Sequence, residues 1–233
     1  MSGHLITLEG LDGSGKTTQM ELLENNFPER GIHLRRVKFP VYEKPFSAPV
    51  RMYLNGDFGK DPDDVNAYAS SVLFAVDRFA SFRTMWHKDY ENGALILADR
   101  YTTSNMIYQL PKLPKEEWDS FISWLQDLEY EKLGLPKPDL TVYLDMPPEI
   151  SQTFLDRRCK RSGEQKDIHE RDVTYLNQCH KSAAFAARKL GWQTVACAEG
   201  GSPKSRETVH AEIVKIISAA LRKWRLKTGK QHD

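Results

Sequence analysis

Residues 10–18, Gly10-Leu11-Asp12-Gly13-Ser14-Gly15-Lys16-Thr17-Thr18, fit the spacing G-x-x-x-x-G-K-[ST] and constrain the fold of this chain more than any other stretch. The pattern has a physical meaning only between a strand and a helix, and both are legible. Leu5-Ile6-Thr7-Leu8 is a short apolar, β-rich run, and Thr17 to Leu23 reads as a helix that starts at the loop. In that setting the glycines let successive backbone amides turn inward on an anion, and the helix N-terminus adds partial positive charge. Lys16 can neutralise β/γ-phosphate charge, and the Thr17 hydroxyl can ligate Mg²⁺. The stretch implies binding of a nucleoside triphosphate.

The remaining chain alternates strands and helices. A second strand is expected from His33 to Phe39, stopped by Pro40, with the loop Pro40–Phe46 after it where α/β folds place ligands. A short helix around Pro49–Leu54 and one long helix from about Asp63 to Tyr90 precede a third strand, Ala94–Ala98. A helix then begins at Tyr101, and an amphipathic helix covers Lys115–Glu131. The fourth strand is Leu140–Leu144, followed by helices over Pro148–Cys159 and His169–Leu190 and a fifth strand, Trp192–Ala196. Ala198–Ser202 reads as a loop, Arg206–Lys227 as a final helix and Thr228–Asp233 as a frayed end. Strands and helices in this order predict a three-layer α/β/α fold with a five-stranded parallel sheet and helices on both faces.

At 233 residues with 40% hydrophobic content the chain suits one domain, 1–233. A net charge of +1 argues against a polyanion-seeking surface and hence against a nucleic-acid partner. Cys159, Cys179 and Cys197 form no C-x-x-C pair and suit reduced thiols, no apolar run approaches the ~18 residues of a membrane span, and no signal segment is legible; a soluble cytoplasmic protein is expected.

Three further groups carry chemistry. Phe74 and Arg78, four residues apart, share a helix face; core packing for the aromatic and a solvated or snorkelling arginine are the competing readings. Asp99-Arg100 follows the third strand, where an aspartate can hold Mg²⁺ or its water; a structural salt bridge is the competing reading. The segment from Arg157 to Asp167 is the densest basic stretch, and in a phosphate-binding chain it suits a lid, about 157–168, that brings positive charge over a triphosphate.

These motifs together resemble the thymidylate kinases, P-loop nucleoside monophosphate kinases, from Leu5 to about Ile217. The resemblance lies in Leu8–Gln19, Phe39-Pro40-Val41-Tyr42, Leu73–Arg78, Asp99–Gln109 and Leu144–Glu149. It implies a P-loop NTPase fold and transfer of the γ-phosphate of Mg·ATP to dTMP. Gly10, Leu11, Asp12, Gly13, Ser14, Gly15, Lys16, Thr17 and Thr18 would hold ATP, with Thr17 and Asp99 serving Mg²⁺. Phe74 would stack on thymine, Arg78 would donate to its O4, and Ser104 or Asn105 would meet the base edge. Tyr108 would crowd the sugar 2′ position, and Arg100, with Phe39, Pro40 and Tyr42 near it, would hold the dTMP phosphate. Asp12 would hold the 3′-hydroxyl or the metal's shell. Lys16, Arg100, Asp12, Arg157 and Arg161 form the implied catalytic set, and the family is commonly homodimeric.

Two departures from the family pattern matter. Some members carry an arginine inside the phosphate loop, whereas positions 11–14 here are Leu-Asp-Gly-Ser, so the transition-state cation is expected from Arg157, Arg158 or Arg161, with Arg161 or Arg157 preferred. Val41 stands where many relatives have a basic residue, which puts more weight on Arg100; Asp167 and Glu170 are expected near the acceptor. A deoxynucleoside kinase would want a carboxylate just after the second strand, where Phe39-Pro40 offers none, although Glu43 is close. A guanine-nucleotide switch would carry N-K-x-D, which does not occur.

Overall fold

The computed structural model describes residues 2–29, 32, 34–163 and 167–228. Five parallel strands, β1 (His4–Gly10), β2 (Leu34–Lys38), β3 (Leu95–Asp99), β4 (Leu140–Asp145) and β5 (Gln193–Ala196), form one sheet in the order β2-β3-β1-β4-β5. Side chains alternate across it, as the two-residue period of a strand requires. Ile6, Leu8, Leu97, Val142 and Leu144 face a core shared with α1 (Lys16–Glu29) and α10 (Arg206–Thr228). On the other face, Tyr143 packs with α5 (Thr102–Tyr108), α6 (Trp118–Gln126) and α9 (Val173–Leu190), and Leu5, Ile96 and Ala98 pack with Phe39, Phe82 and Trp86. The layered α/β/α architecture expected from the strand–helix alternation is the one observed. Among the described residues no helix is long and apolar enough to cross a membrane.

Several local expectations need correction. The long helix starts at Ala67, not Asp63: Pro62–Asp64 forms a separate 3₁₀ turn and Asn66 caps the helix by accepting from the Ala69 amide at 2.8 Å. The short helix α2 (Ala48–Asn55) precedes it, and α3 (Ala67–Ser81) then passes through a π turn, Phe82–Trp86, into α4 (His87–Glu91). The helix expected over Lys115–Glu131 is a 3₁₀ turn, α6 and a second π turn, Asp127–Lys132. Helix α7 runs Pro148–Ser162, so Arg157 and Arg161 stand on its last turns; residues 164–166 of the expected lid, the Arg158 side chain and residues 229–233 lie outside the description. The second strand begins at Leu34, and His33 also lies outside it.

The helix expected from His169 divides into α8 (Ile168–Arg171) and α9, because Asp167 caps the first by accepting from the His169 and Glu170 amides and Asp172 caps the second. Ala198–Ser202 is no open loop: Ala198–Glu199 (β6) and Ser202–Pro203 (β7) pair as a hairpin around Gly200-Gly201.

Candidate functional site

The loop between β1 and α1 turns through Gly13 (φ 78°) and lies so close to α7 that a Cβ on Gly13 would sit 2.3 Å from the Ser151 carbonyl oxygen. Lys16 folds back on the loop, donating to the Gly10 and Leu11 carbonyls at 2.8 and 2.9 Å. Burial, and then Arg100, bring its ammonium down to about 8. The Ser14 hydroxyl is buried without a protein partner, as befits a group at the rim of an anion cradle. Thr17 is exposed in the first turn of α1, whereas Asp99, at the carboxyl end of β3, is 4% exposed with the Arg36 guanidinium 3.8 Å away. Both line a long cleft with Lys16, Arg157 and Arg161. Four residues given no role from the sequence, Lys38, Arg51, Lys204 and Arg206, add positive charge to its wall.

A smaller cavity of about 510 Å³ opens beside the cleft. Phe74, Arg78, Ser104, Asn105 and Tyr108 line it, so residues from α3 and α5 that are far apart in sequence meet there. Asp12, Phe39, Pro40, Tyr42, Arg100 and Asp167 line both spaces. At this shared wall Arg100 pairs with Asp12 at 2.5 Å, and the Tyr108 hydroxyl donates to the other Asp12 oxygen at 2.8 Å. Burial alone would raise the Asp12 carboxyl, but Arg100 and Lys16 outweigh it and hold the group ionised. Arg100 reaches this wall from a left-handed backbone (φ 68°), held by its own amide bond to the Leu8 carbonyl and by the Tyr101 amide bond to Glu9.

Glu9, buried at the end of β1, also accepts from Thr103 and Ser104 at 2.6 and 2.8 Å and so sets the start of α5. Ser104 is thereby committed to Glu9, leaving Asn105 as the freer of the two polar groups named for the base edge. Arg78 is 2% exposed and forms a bidentate pair with Glu129, its Nε and Nη2 donating at 2.6 and 2.5 Å. Burial would lower the Arg78 pKa; Glu129 outweighs it and raises it. Its neighbour Asp77 turns the other way and accepts from the Val41 amide and the Ser47 hydroxyl, which tethers the loop after β2 to α3.

Near the expected lid, burial, with Asp12 and Glu170 adding to it, pushes the Asp167 carboxyl up to about 7. His169 is buried between the rings of Tyr108 and Tyr175, its Nε2 2.8 Å from the Tyr53 hydroxyl, and burial lowers it to about 3. Gln109, fully buried, takes a bond from Ser70 on its carbonyl, while its amide nitrogen has no protein partner and the residue lines the smaller cavity.

Glu9, Asp77, Gln109, Glu129 and His169 were not read as site residues. Glu129 had a usable signal, since it follows Phe121 and Leu125 at four-residue steps and so puts a carboxylate on a core stripe. His169 had none, because two of the three aromatic rings around it, Tyr53 and Tyr108, come from segments distant in sequence.

Comparison with known proteins bears on the family and the fold. The family model described as thymidylate kinase matches residues 8–213. A thymidylate kinase of Mycobacterium tuberculosis is 33% identical over 173 residues, which cover 72% of this chain and 78% of that protein. A probable thymidylate kinase of Methanosarcina acetivorans is 34% identical over 219 residues, 93% and 97% of the two chains. The solved thymidylate kinase of Candida albicans superimposes with a TM-score of 0.66 at 25% identity, covering 94% of this chain and 92% of that one. On the match to residues 8–213 and on these relatives, the chain belongs to the thymidylate kinase family, enzymes that phosphorylate dTMP to dTDP.

Proposed function

We propose that ATP lies in the long cleft over the phosphate loop, that dTMP lies in the smaller cavity, and that the phosphoryl group passes between them at the wall of Asp12, Arg100 and Asp167. One observation carries this reading: the two spaces share that wall and Phe39, Pro40 and Tyr42, so a donor and an acceptor would meet end to end. The backbone of residues 10–18 and Lys16 cradle the triphosphate. Thr17 and Asp99 offer the hard oxygen donors that suit Mg²⁺, which typically takes one or two protein groups beside the phosphates. Bound there, the ion would supply charge neutralisation between the phosphates. Arg157 and Arg161, exposed on α7, stand over the cleft and supply the cation that the loop lacks.

In the acceptor cavity Phe74 stacks on thymine, Arg78 donates from Nη1 to O4, and Asn105 meets the base edge. Arg100 takes the dTMP phosphate, and Tyr108, anchored on Asp12, closes the space below the sugar. The acceptor is already an oxyanion, so alignment and charge neutralisation suffice and no strong base is needed.

The whole chain acts as one domain, with the segment about 157–168 as its lid, in the cytoplasm, where Cys159, Cys179 and Cys197 stay as thiols. It works as a homodimer joined through α3, whose Tyr68, Val72, Val76 and Phe79 form an exposed apolar stripe at helical spacing.

A coupled ADP-release assay with Mg·ATP against dTMP, dUMP, UMP, CMP and thymidine tests the acceptor reading. Turnover on dTMP well above the ribonucleotides, abolished by Lys16→Ala, is expected; turnover on thymidine alone would overturn the phosphate-holding role of Arg100. Sedimentation that gives a monomer would remove the dimer.

A further inference from the structure

We infer that Glu129 is a specificity-determining positioning residue: it fixes the donor and acceptor polarity with which Arg78 and Asn105 read the edge of the acceptor base. The inference rests on the reading of the smaller cavity as the dTMP site. It starts from a count of hydrogen bonds. A carboxylate offers acceptor positions only, about four of them. All four have a donor at Glu129: Oε2 takes Arg78 Nε at 2.6 Å and Thr102 Oγ1 at 2.8 Å, and Oε1 takes Arg78 Nη2 at 2.5 Å and Asn105 Nδ2 at 3.4 Å. Glu129 is wholly buried on the π turn Asp127–Lys132, a widened helical turn of the kind that gathers at functional sites.

Two of those donors belong to residues that line the cavity, and each is turned by the bond it makes. With Nε and Nη2 committed, Arg78 has left over Nη1, whose one described bond is a long one of 3.5 Å to the Tyr101 carbonyl. The amide of Asn105 gives its nitrogen to Glu129 and, at 3.3 Å, to the Ser71 carbonyl. Two acceptors on one side fix which end is nitrogen and leave the amide oxygen for the cavity. The wall therefore presents a donor, Arg78 Nη1, together with an acceptor, Asn105 Oδ1. Thymine offers the complement, a carbonyl at C4 beside an N3–H. Cytosine offers the reverse, an amino group at C4 beside a bare N3, and would set donor against donor and acceptor against acceptor. Glu129 touches no substrate in this account, yet it selects the base by orienting both readers.

Glu129→Gln tests this because glutamine replaces one acceptor oxygen by a donor NH₂. Both oxygens accept from Arg78, so that group faces either Nε with the Thr102 hydroxyl or Nη2 with the Asn105 amide: the fork loosens in both cases, and in the second the amide is also driven to turn over. The comparison uses dTMP against 5-methyl-dCMP, which differ only at the edge in question, with KM for ATP as the internal control. In E129Q kcat/KM for dTMP falls by about tenfold or more, chiefly through KM, and the preference for dTMP over 5-methyl-dCMP falls by a similar factor. KM for ATP stays within about twofold. If E129Q does not fold, Glu129→Asp answers the same question: it keeps the charge but draws it back by one methylene, and its preference falls between wild type and none.

A folded variant with undiminished preference for dTMP overturns the inference, as does a loss shared equally by dTMP, 5-methyl-dCMP and ATP, which marks a merely structural carboxylate. If the wild-type enzyme itself does not separate dTMP from 5-methyl-dCMP, the base reading of the cavity fails, and the inference with it.

Discussion

Arg100 does two separable things, and one pair of substitutions tells them apart. Its side chain pairs with Asp12, and its backbone sits at φ 68°, a region that a residue with a Cβ enters at a cost of roughly 1–2 kcal/mol. The backbone has no room to relax, since the Arg100 amide is bonded to the Leu8 carbonyl at 3.2 Å and the next amide is bonded to Glu9 at 3.0 Å. Arg100→Ala and Arg100→Gly both remove the guanidinium, and they differ in the Cβ alone. Glycine relieves the left-handed strain but gives back about 0.5–1 kcal/mol in unfolded-chain entropy, so R100G should be more stable than R100A by about 1 kcal/mol. In a chain of this size that is about 2–4 °C in Tm. Calorimetric melting of the nucleotide-free proteins measures it, and neither variant should turn over dTMP at a normal rate. An alanine variant that melts at or above the glycine variant would refute the argument that strain is held at this residue to aim its side chain.

Three further outcomes follow from the geometry. Breaking the buried Arg78–Glu129 pair with Arg78→Met strands a carboxylate that is 0% exposed and should cost about 3–5 kcal/mol, whereas Arg78→Met with Glu129→Leu should recover most of that in thermal melts. The exposed pair Lys132–Asp127, cut by Lys132→Ala, should cost under about 1 kcal/mol. Gly13→Ala drives a Cβ into the Ser151 carbonyl oxygen, whereas Gly15→Ala, also at positive φ, meets nothing within 4 Å; the first should melt lower, and equal melting temperatures would count against the close packing of loop on α7.

The pH dependence has a definite sign. Asp167 is raised to about 7 by burial, so between its unfolded value near ~4 and 7 the native state binds the extra proton. The stability this contributes is fully present below the unfolded value and lost as pH rises through 7. Asp167→Asn should therefore flatten the fall in Tm between pH 5 and pH 8, and a parallel pair of curves would contradict it.

The phosphate loop was legible because its chemistry is local. The glycines, Lys16 and Thr17 act through the backbone they belong to, and a strand before and a helix after suffice to orient them. The alternation of apolar strands with amphipathic helices likewise determined the layered α/β/α fold, since each periodicity reports one face to be covered. Phe74 with Arg78, and Asn105 with Tyr108, could be paired on their helices by spacing alone. Their meeting across the cavity could not be read so, and neither could the partner that holds Arg78, because Glu129 arrives from a π turn some 50 residues further along the chain. The same limit separates Asp99 as a strand-end carboxylate, plain in the sequence, from its contact with Arg36 on the neighbouring strand. Local pattern determined which residues could do phosphate chemistry. Tertiary packing decided which of them are buried, which carry a partner and which way their polar atoms point, because those properties depend on the groups that other segments bring against them.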